Sequence, residues 1–79
     1  MHKLLAKLIR FHRKKSGLTQ VELSEMADVG KNMVHGIETG ISTVGFDNLL
    51  KILHVLNIKI EFTSPLMESF FKERTDAKS

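Results

Sequence analysis

Lys31 and Asn32 stand together in the run Gly30-Lys31-Asn32-Met33-Val34-His35, and they are either an ordinary polar first turn of a helix or a pair whose chemistry is recognition by hydrogen bonding rather than bond-making. A lysine ammonium donates toward the O6 and N7 acceptors of guanine, and an asparagine amide pairs in bidentate fashion with adenine, each match giving about 1–3 kcal/mol of discrimination. His35 falls one helical turn after Lys31, and with Met33 it lies further along the same predicted outer face, in reach of base edges or a thymine methyl. Gln20 opens a predicted helix and Ser42 and Thr43 lie just before another, where backbone N–H groups and short polar side chains meet phosphates. For Ser42 and Thr43, a plain role as turn and capping residues is an equal alternative. Lys14 and Lys15 would add attraction that is salt-dependent and blind to sequence.

Catalytic constellations do not accompany these residues. His2, His12, His35 and His54 lack metal-ligand spacing, and His54, on an apolar helical run, reads as a satisfied or partly exposed side chain. No glycine loop cradles a phosphate and no nucleophile has an evident base, so neither enzymatic activity nor a metal or cofactor is expected.

The element that must position Lys31 and Asn32 is the stretch from Gly17 to Glu38, whose spacing of apolar, turn and polar residues fits a helix-turn-helix. Leu23, Ala27, Val34 and Ile37 are its inward positions, with Asp28-Val29-Gly30 as the break. The predicted second helix runs from Gln20 to Ala27, opened by a capping box of Thr19 and Glu22. The third runs from Lys31 to Glu38, with Gly30 as a permissive cap and Thr39-Gly40 as its close. Such a unit holds its second helix proud of the domain, so that the first turn can enter the major groove of DNA.

A first helix over residues 3–15 is predicted to pack through Leu4, Leu5, Leu8, Phe11 and His12, and to end at Ser16-Gly17. After a loop from Ile41 to Gly45, the apolar set Phe46, Leu49, Leu50, Ile52, Leu53 and Leu56 predicts a fourth helix over about 45–56, the most buried element. The period then changes. Ile58, Ile60 and Phe62 alternate with Lys59 and Glu61, which predicts a strand. A lone strand cannot satisfy its own backbone groups, so the economical expectation is a homodimer in which each chain lends one strand to a two-stranded antiparallel sheet. Ser64-Pro65 then opens a short helix bearing Leu66, Met67, Phe70 and Phe71, to cover the strand or dimer seam or to dock another protein, with a frayed tail after about Arg74. The expected fold is thus an all-α helix-turn-helix bundle of four core helices, residues 1–57, followed over 58–79 by the dimerisation strand and a short C-terminal helix.

Seventy-nine residues with 42% hydrophobic content allow one small core, which makes help from a partner subunit reasonable. The absence of cysteine removes disulfides and thiolate chemistry and points to a reducing cytoplasmic setting. The N-terminal MHKLLAKLIRFHRKK reads as an amphipathic helix rather than a signal peptide, and no apolar run approaches a membrane span. The net charge of +3 is mild, but six basic residues from Lys3 to Lys15 precede the first acid, Glu22. That concentration steers encounter with a polyanion or simply solvates a helix face.

Over roughly residues 4–58 these features resemble the Cro/repressor class of helix-turn-helix regulators, the XRE family. The resemblance rests on Arg13-Lys14-Lys15-Ser16-Gly17, Leu18-Thr19-Gln20 with Glu22-Leu23, Ile37-Glu38 with Gly40, and Leu49-Leu50-Lys51-Ile52-Leu53 leading to Leu56 and Ile58. The wording RFHRKKSGLTQVEL and LLKILHVLNIKIEF, with Ile58-Lys59-Ile60-Glu61-Phe62 directly after the last core helix, is similar to the HipB-type antitoxins. That likeness implies a repressor that binds its own inverted-repeat operator as a dimer, and also binds a HipA-like serine/threonine kinase toxin encoded beside it. Some such systems divide the toxin into two chains. The resemblance further implies that Arg13 pairs with Glu38, fastening the third helix to the first. Two positions depart from the family pattern: Asp28 stands where the turn usually has glycine, and Gly30 where serine or threonine usually caps the third helix. A second reading, from another class, is a protein-interaction module that neutralises or scaffolds a partner with little or no sequence-specific DNA binding.

Overall fold

The computed structural model describes residues 2–41 and 44–76, and these form five helices: α1 (His2–Lys15), α2 (Gln20–Met26), α3 (Met33–Thr39), α4 (Phe46–Val55) and α5 (Met67–Asp76). The core is built from Ile9 of α1, Leu23 and Ala27 at α2, Val34 and Ile37 of α3, and Ile52, Leu53 and Leu56 at α4. Within it α1 packs on α3, and α2 packs on both α3 and α4.

The first four helices end in the same way, on a residue with positive φ: Gly17 (73°), Asp28 (56°), Gly40 (74°) and Asn57 (58°). Each left-handed residue lets the next N–H turn back onto the helix, Leu18 to the Arg13 carbonyl (3.2 Å), Val29 to Ser24 (3.0 Å), Ile41 to Gly36 (3.1 Å) and Ile58 to Leu53 (2.9 Å). This is the Schellman closure, which satisfies carbonyls that the helix end would otherwise leave bare. Leu18, Val29 and Ile58 then pack against the core, while Ile41 stays 79% exposed. Asp28 therefore adopts a left-handed backbone without the freedom of glycine.

Three expectations for the first four helices need correction. In α1 the inward stripe is Ala6, Ile9 and Arg13, flanked by half-buried Leu5, Leu8 and His12, whereas Leu4 and Phe11 are exposed. The helix carries two apolar stripes but has one main neighbour, α3, so only the stripe of Ala6 and Ile9 is enclosed. In α4, Ile52, Leu53 and Leu56 are buried, but Phe46 and Leu50 are exposed, so this helix is not enclosed on all sides. Third, α3 begins at Met33 rather than Lys31, because the Met33 N–H first closes a tight turn onto the Gly30 carbonyl (2.9 Å). Asn32 takes the cap position without a side-chain capping bond. One N-terminal donor of α3 is instead met from the neighbouring helix: the Val34 N–H donates to the hydroxyl of fully buried Ser24 (3.4 Å).

Among the described residues there is no strand. Residues 58–64 are neither helix nor turn, since a single chain offers the alternating segment no second strand to pair with. Ile58 packs against the core, while Ile60 and Phe62 are exposed. The turn at Pro65-Leu66 is tied by Ser64, whose hydroxyl accepts from the Leu66 N–H (3.3 Å) and whose carbonyl accepts from Met67 (3.1 Å), so α5 starts two residues after Pro65. Helix α5 runs on to Asp76, past the expected fraying point at Arg74; residues 77–79 lie outside the described residues. It contributes nothing to the core cluster. The Cα radius of gyration is accordingly 15.5 Å, against about 12 Å for a compact chain of this length.

Candidate nucleic-acid interface

The polar residues singled out in the sequence separate into two groups around the turn between α2 and α3. Lys31 and Asn32 sit in the turn leading into α3, both exposed and with no side-chain hydrogen bond among the described residues. Their donors and acceptors are thus available to a base edge. Met33 is different: it is half-buried and packs against the core, because it lies one turn before Ile37 on the inward stripe of α3. His35, by contrast, is exposed.

Behind this surface lies a connected polar network. Glu38 accepts from Arg13 through Nε (2.7 Å to Oε2) and Nη2 (3.0 Å to Oε1), and Arg13 Nη1 donates to the Leu18 carbonyl (2.8 Å). The side chains of the pair are 10% and 1% exposed, so this is a buried ion pair with bidentate geometry. Burial alone would push the Glu38 carboxyl up, but hydrogen bonds from Arg13 and Gln20, with the charges of Arg13 and Arg10, outweigh it and hold the group below its ordinary value. The hydrogen bond to Glu38 in turn raises the Arg13 guanidinium. Gln20 donates its amide N–H to Glu38 Oε1 (3.1 Å), and its Oε1 lies 3.2 Å from His35 Nδ1. The network thereby joins α1, the start of α2 and both ends of α3. The Gln20 amide, expected at a phosphate, is engaged on this inner side.

The same opening turn of α2 carries the capping box: the Glu22 N–H donates to Thr19 Oγ1 (3.0 Å) and the Thr19 N–H to Glu22 Oε1 (2.8 Å). The backbone hydrogen bond from Thr19 lowers the Glu22 carboxyl. Lys14 and Lys15 are exposed at the end of α1, with the Lys15 ammonium 5.6 Å from the centre of the Phe11 ring. Ser42 and Thr43 lie outside the described residues. Sequence reasoning missed Ser24, although its place on the inward stripe of α2, beside Leu23 and three residues before Ala27, is a detectable signal: a hydroxyl on a core stripe needs a polar partner.

A second surface is apolar. Phe46, Leu50, Leu53, Ile58, Ile60 and Phe62 line one shallow groove, and Ile60 and Phe62 continue it into a second, of about 920 Å³, walled by Leu66, Met67, Phe70 and Phe71 of the C-terminal segment. Leu66, Phe70 and Phe71 remain 72, 54 and 48% exposed.

Among the described residues, no group of histidine, aspartate or glutamate could hold a metal ion, and no helix is long and apolar enough to cross a membrane. The arrangement matches a known class: the helix-turn-helix family profile covers residues 9–62, well over half of the chain. The chain belongs to the XRE-type helix-turn-helix family, a class of DNA-binding transcription regulators. No curated protein matches it.

Proposed function

We propose that the protein is a homodimeric, sequence-specific repressor that autoregulates by binding an inverted-repeat operator and serves as the antitoxin of a HipA-like kinase toxin–antitoxin operon. The observation that carries the operator part is the exposed set Lys31, Asn32 and His35 at the start of a helix whose other face, Val34 and Ile37, is locked in the core. Lys31, Asn32 and His35 read bases in this proposal. Lys14, Lys15, Ser42, Thr43 and the first turn of α2 meet phosphates, and the Arg13–Glu38 pair fastens α3 to α1. Dimerisation is supported by the unpaired alternating segment at Ile58, Ile60 and Phe62, and by the exposed Phe46 and Leu50 beside it. Two-fold pairing of those segments would bury the row and supply the missing ladder. The kinase partner rests on the likeness of RFHRKKSGLTQVEL and LLKILHVLNIKIEF to HipB-type antitoxins, with Leu66, Met67, Phe70 and Phe71 as the surface for toxin or dimer contact.

The test is fluorescence anisotropy with the DNA upstream of the protein's own gene, at several salt concentrations, beside a Lys31→Ala/Asn32→Ala variant. The expected result is tight binding over a scrambled duplex, lost in the variant. The second reading, an interaction module with little or no specific DNA binding, is favoured by the extent of apolar surface along α4, residues 58–62 and α5. Weak binding without sequence preference and without effect of the substitutions would establish it instead.

A further inference from the structure

Hydrogen-bond bookkeeping along the buried network fixes the proton on an exposed side chain. Glu38, ionised by its pairing with Arg13, can only accept. Gln20, 3.1 Å away, must therefore turn its NH2 group toward Glu38 and its carbonyl oxygen outward. That oxygen can only accept as well, and the atom 3.2 Å from it is His35 Nδ1. Nδ1 must then carry the proton. In a neutral imidazole the other nitrogen is bare, so Nε2 presents a lone pair, and it has no partner among the described residues.

We propose that His35 is a specificity-determining residue held by Gln20 as a hydrogen-bond acceptor, and that it selects a base bearing an exocyclic amine in the major groove, cytosine through N4 or adenine through N6. This rests on the operator-binding reading above. Guanine O6 and N7, and thymine O4, offer only acceptors and would be rejected by a bare Nε2. Lys31, exposed in the turn that leads into α3, carries donors only, so the two side chains demand opposite base edges: an acceptor edge for Lys31 and a donor edge for His35. Gln20 is the positioning residue. It needs no contact with DNA to act, since it sets which nitrogen of His35 is bare. The choice originates in the Arg13–Glu38 pair, so a residue buried against α1 decides the chemistry that α3 presents.

Two measurements on the full chain test this. Two-bond proton–nitrogen correlation NMR of the free protein at about pH 8 should find His35 in the Nδ1–H form, and Gln20→Leu should release that preference. Binding to duplexes varied one base pair at a time should show discrimination of about 10-fold or more at one half-site position, consistent with a single good base contact. His35→Ala should abolish the preference at that position alone, and Gln20→Leu should weaken it there while the other positions keep theirs. A merely structural role for Gln20 would lower affinity for every duplex equally and overturn the assignment. So would the Nε2–H form in the wild-type protein, whatever the DNA result. An Nδ1–H form together with an unchanged base preference in His35→Ala would overturn the base-reading step, and no preference for any duplex would overturn the operator reading and this assignment with it. Should Gln20→Leu fold poorly, His35→Ala, at an exposed position, carries the DNA arm and the wild-type tautomer carries the other.

Discussion

Replacing Glu38 by glutamine removes one charge from a buried pair while leaving the shape of the side chain almost unchanged. The Arg13 guanidinium is then left with the Leu18 carbonyl and one amide oxygen as acceptors, and the new NH2 group faces donors on either Arg13 or Gln20. Breaking a buried ion pair by removing one partner costs about 3–5 kcal/mol, and the contacts that Arg13 retains bring the expected loss to about 2–3 kcal/mol. A chain of this length has roughly 4–12 kcal/mol to lose, so the substitution removes a large share of its stability. Thermal unfolding followed by circular dichroism should show a fall in Tm of about 10–20 °C, and affinity for the operator should fall with it, because α3 loses its tie to α1. The pH dependence supplies an independent arm. The Glu38 carboxyl is held lower in the folded chain than in the unfolded one. Its contribution is therefore complete above the unfolded value of about 4.3 and is lost as pH falls toward the lower, folded value. Glu38→Gln should flatten the acid limb without abolishing it, since Glu22 is lowered in the same sense. A Tm within about 2 °C of wild type, with an unchanged acid limb, would refute the reasoning.

Ser24→Ala should lower stability by about 1 kcal/mol, read as a shift in the urea midpoint, because the Val34 N–H loses the hydroxyl that accepts from it. Asp28→Gly should raise stability by about 0.5–1 kcal/mol in the same assay, since the residue sits at φ 56°; a loss would show that the aspartate side chain has a stabilising role of its own. Lys14→Gln should reduce the slope of log affinity against log salt by about 1 while leaving the order of preferred sequences unchanged.

What the sequence made legible was whatever depends on short-range period. Leu23, Ala27, Val34 and Ile37 are inward by spacing alone, and all four are buried. The capping box at Thr19 and Glu22 is likewise a local pattern of residue types, and its two hydrogen bonds are present. The start of α3 was not legible, because Gly30, Lys31 and Asn32 include no strong cap and the donor they leave is met by Ser24, ten residues earlier. Nor was the choice between the two stripes of α1, which depends on where α3, further along the chain, packs against it. The alternation at 58–62 was visible as a period, but pairing needs a second strand, and there is none among the described residues. The orientation of Gln20 is the hardest case. It is set by Glu38, eighteen residues away, and that carboxylate is in turn fixed by Arg13.

Both helices of the DNA-facing unit are only seven residues long, below the roughly 12–15 residues at which a helix begins to persist alone in water. Neither has an existence apart from the shared core, so the shape that grips a duplex and the folded state of the domain are one equilibrium. Free DNA at 100 times its Kd would then add about 2.7 kcal/mol to folding, and a protease that cleaves the opened chain would find correspondingly little to cut. On the operator reading proposed above, such a protease clears surplus molecules before those on their site.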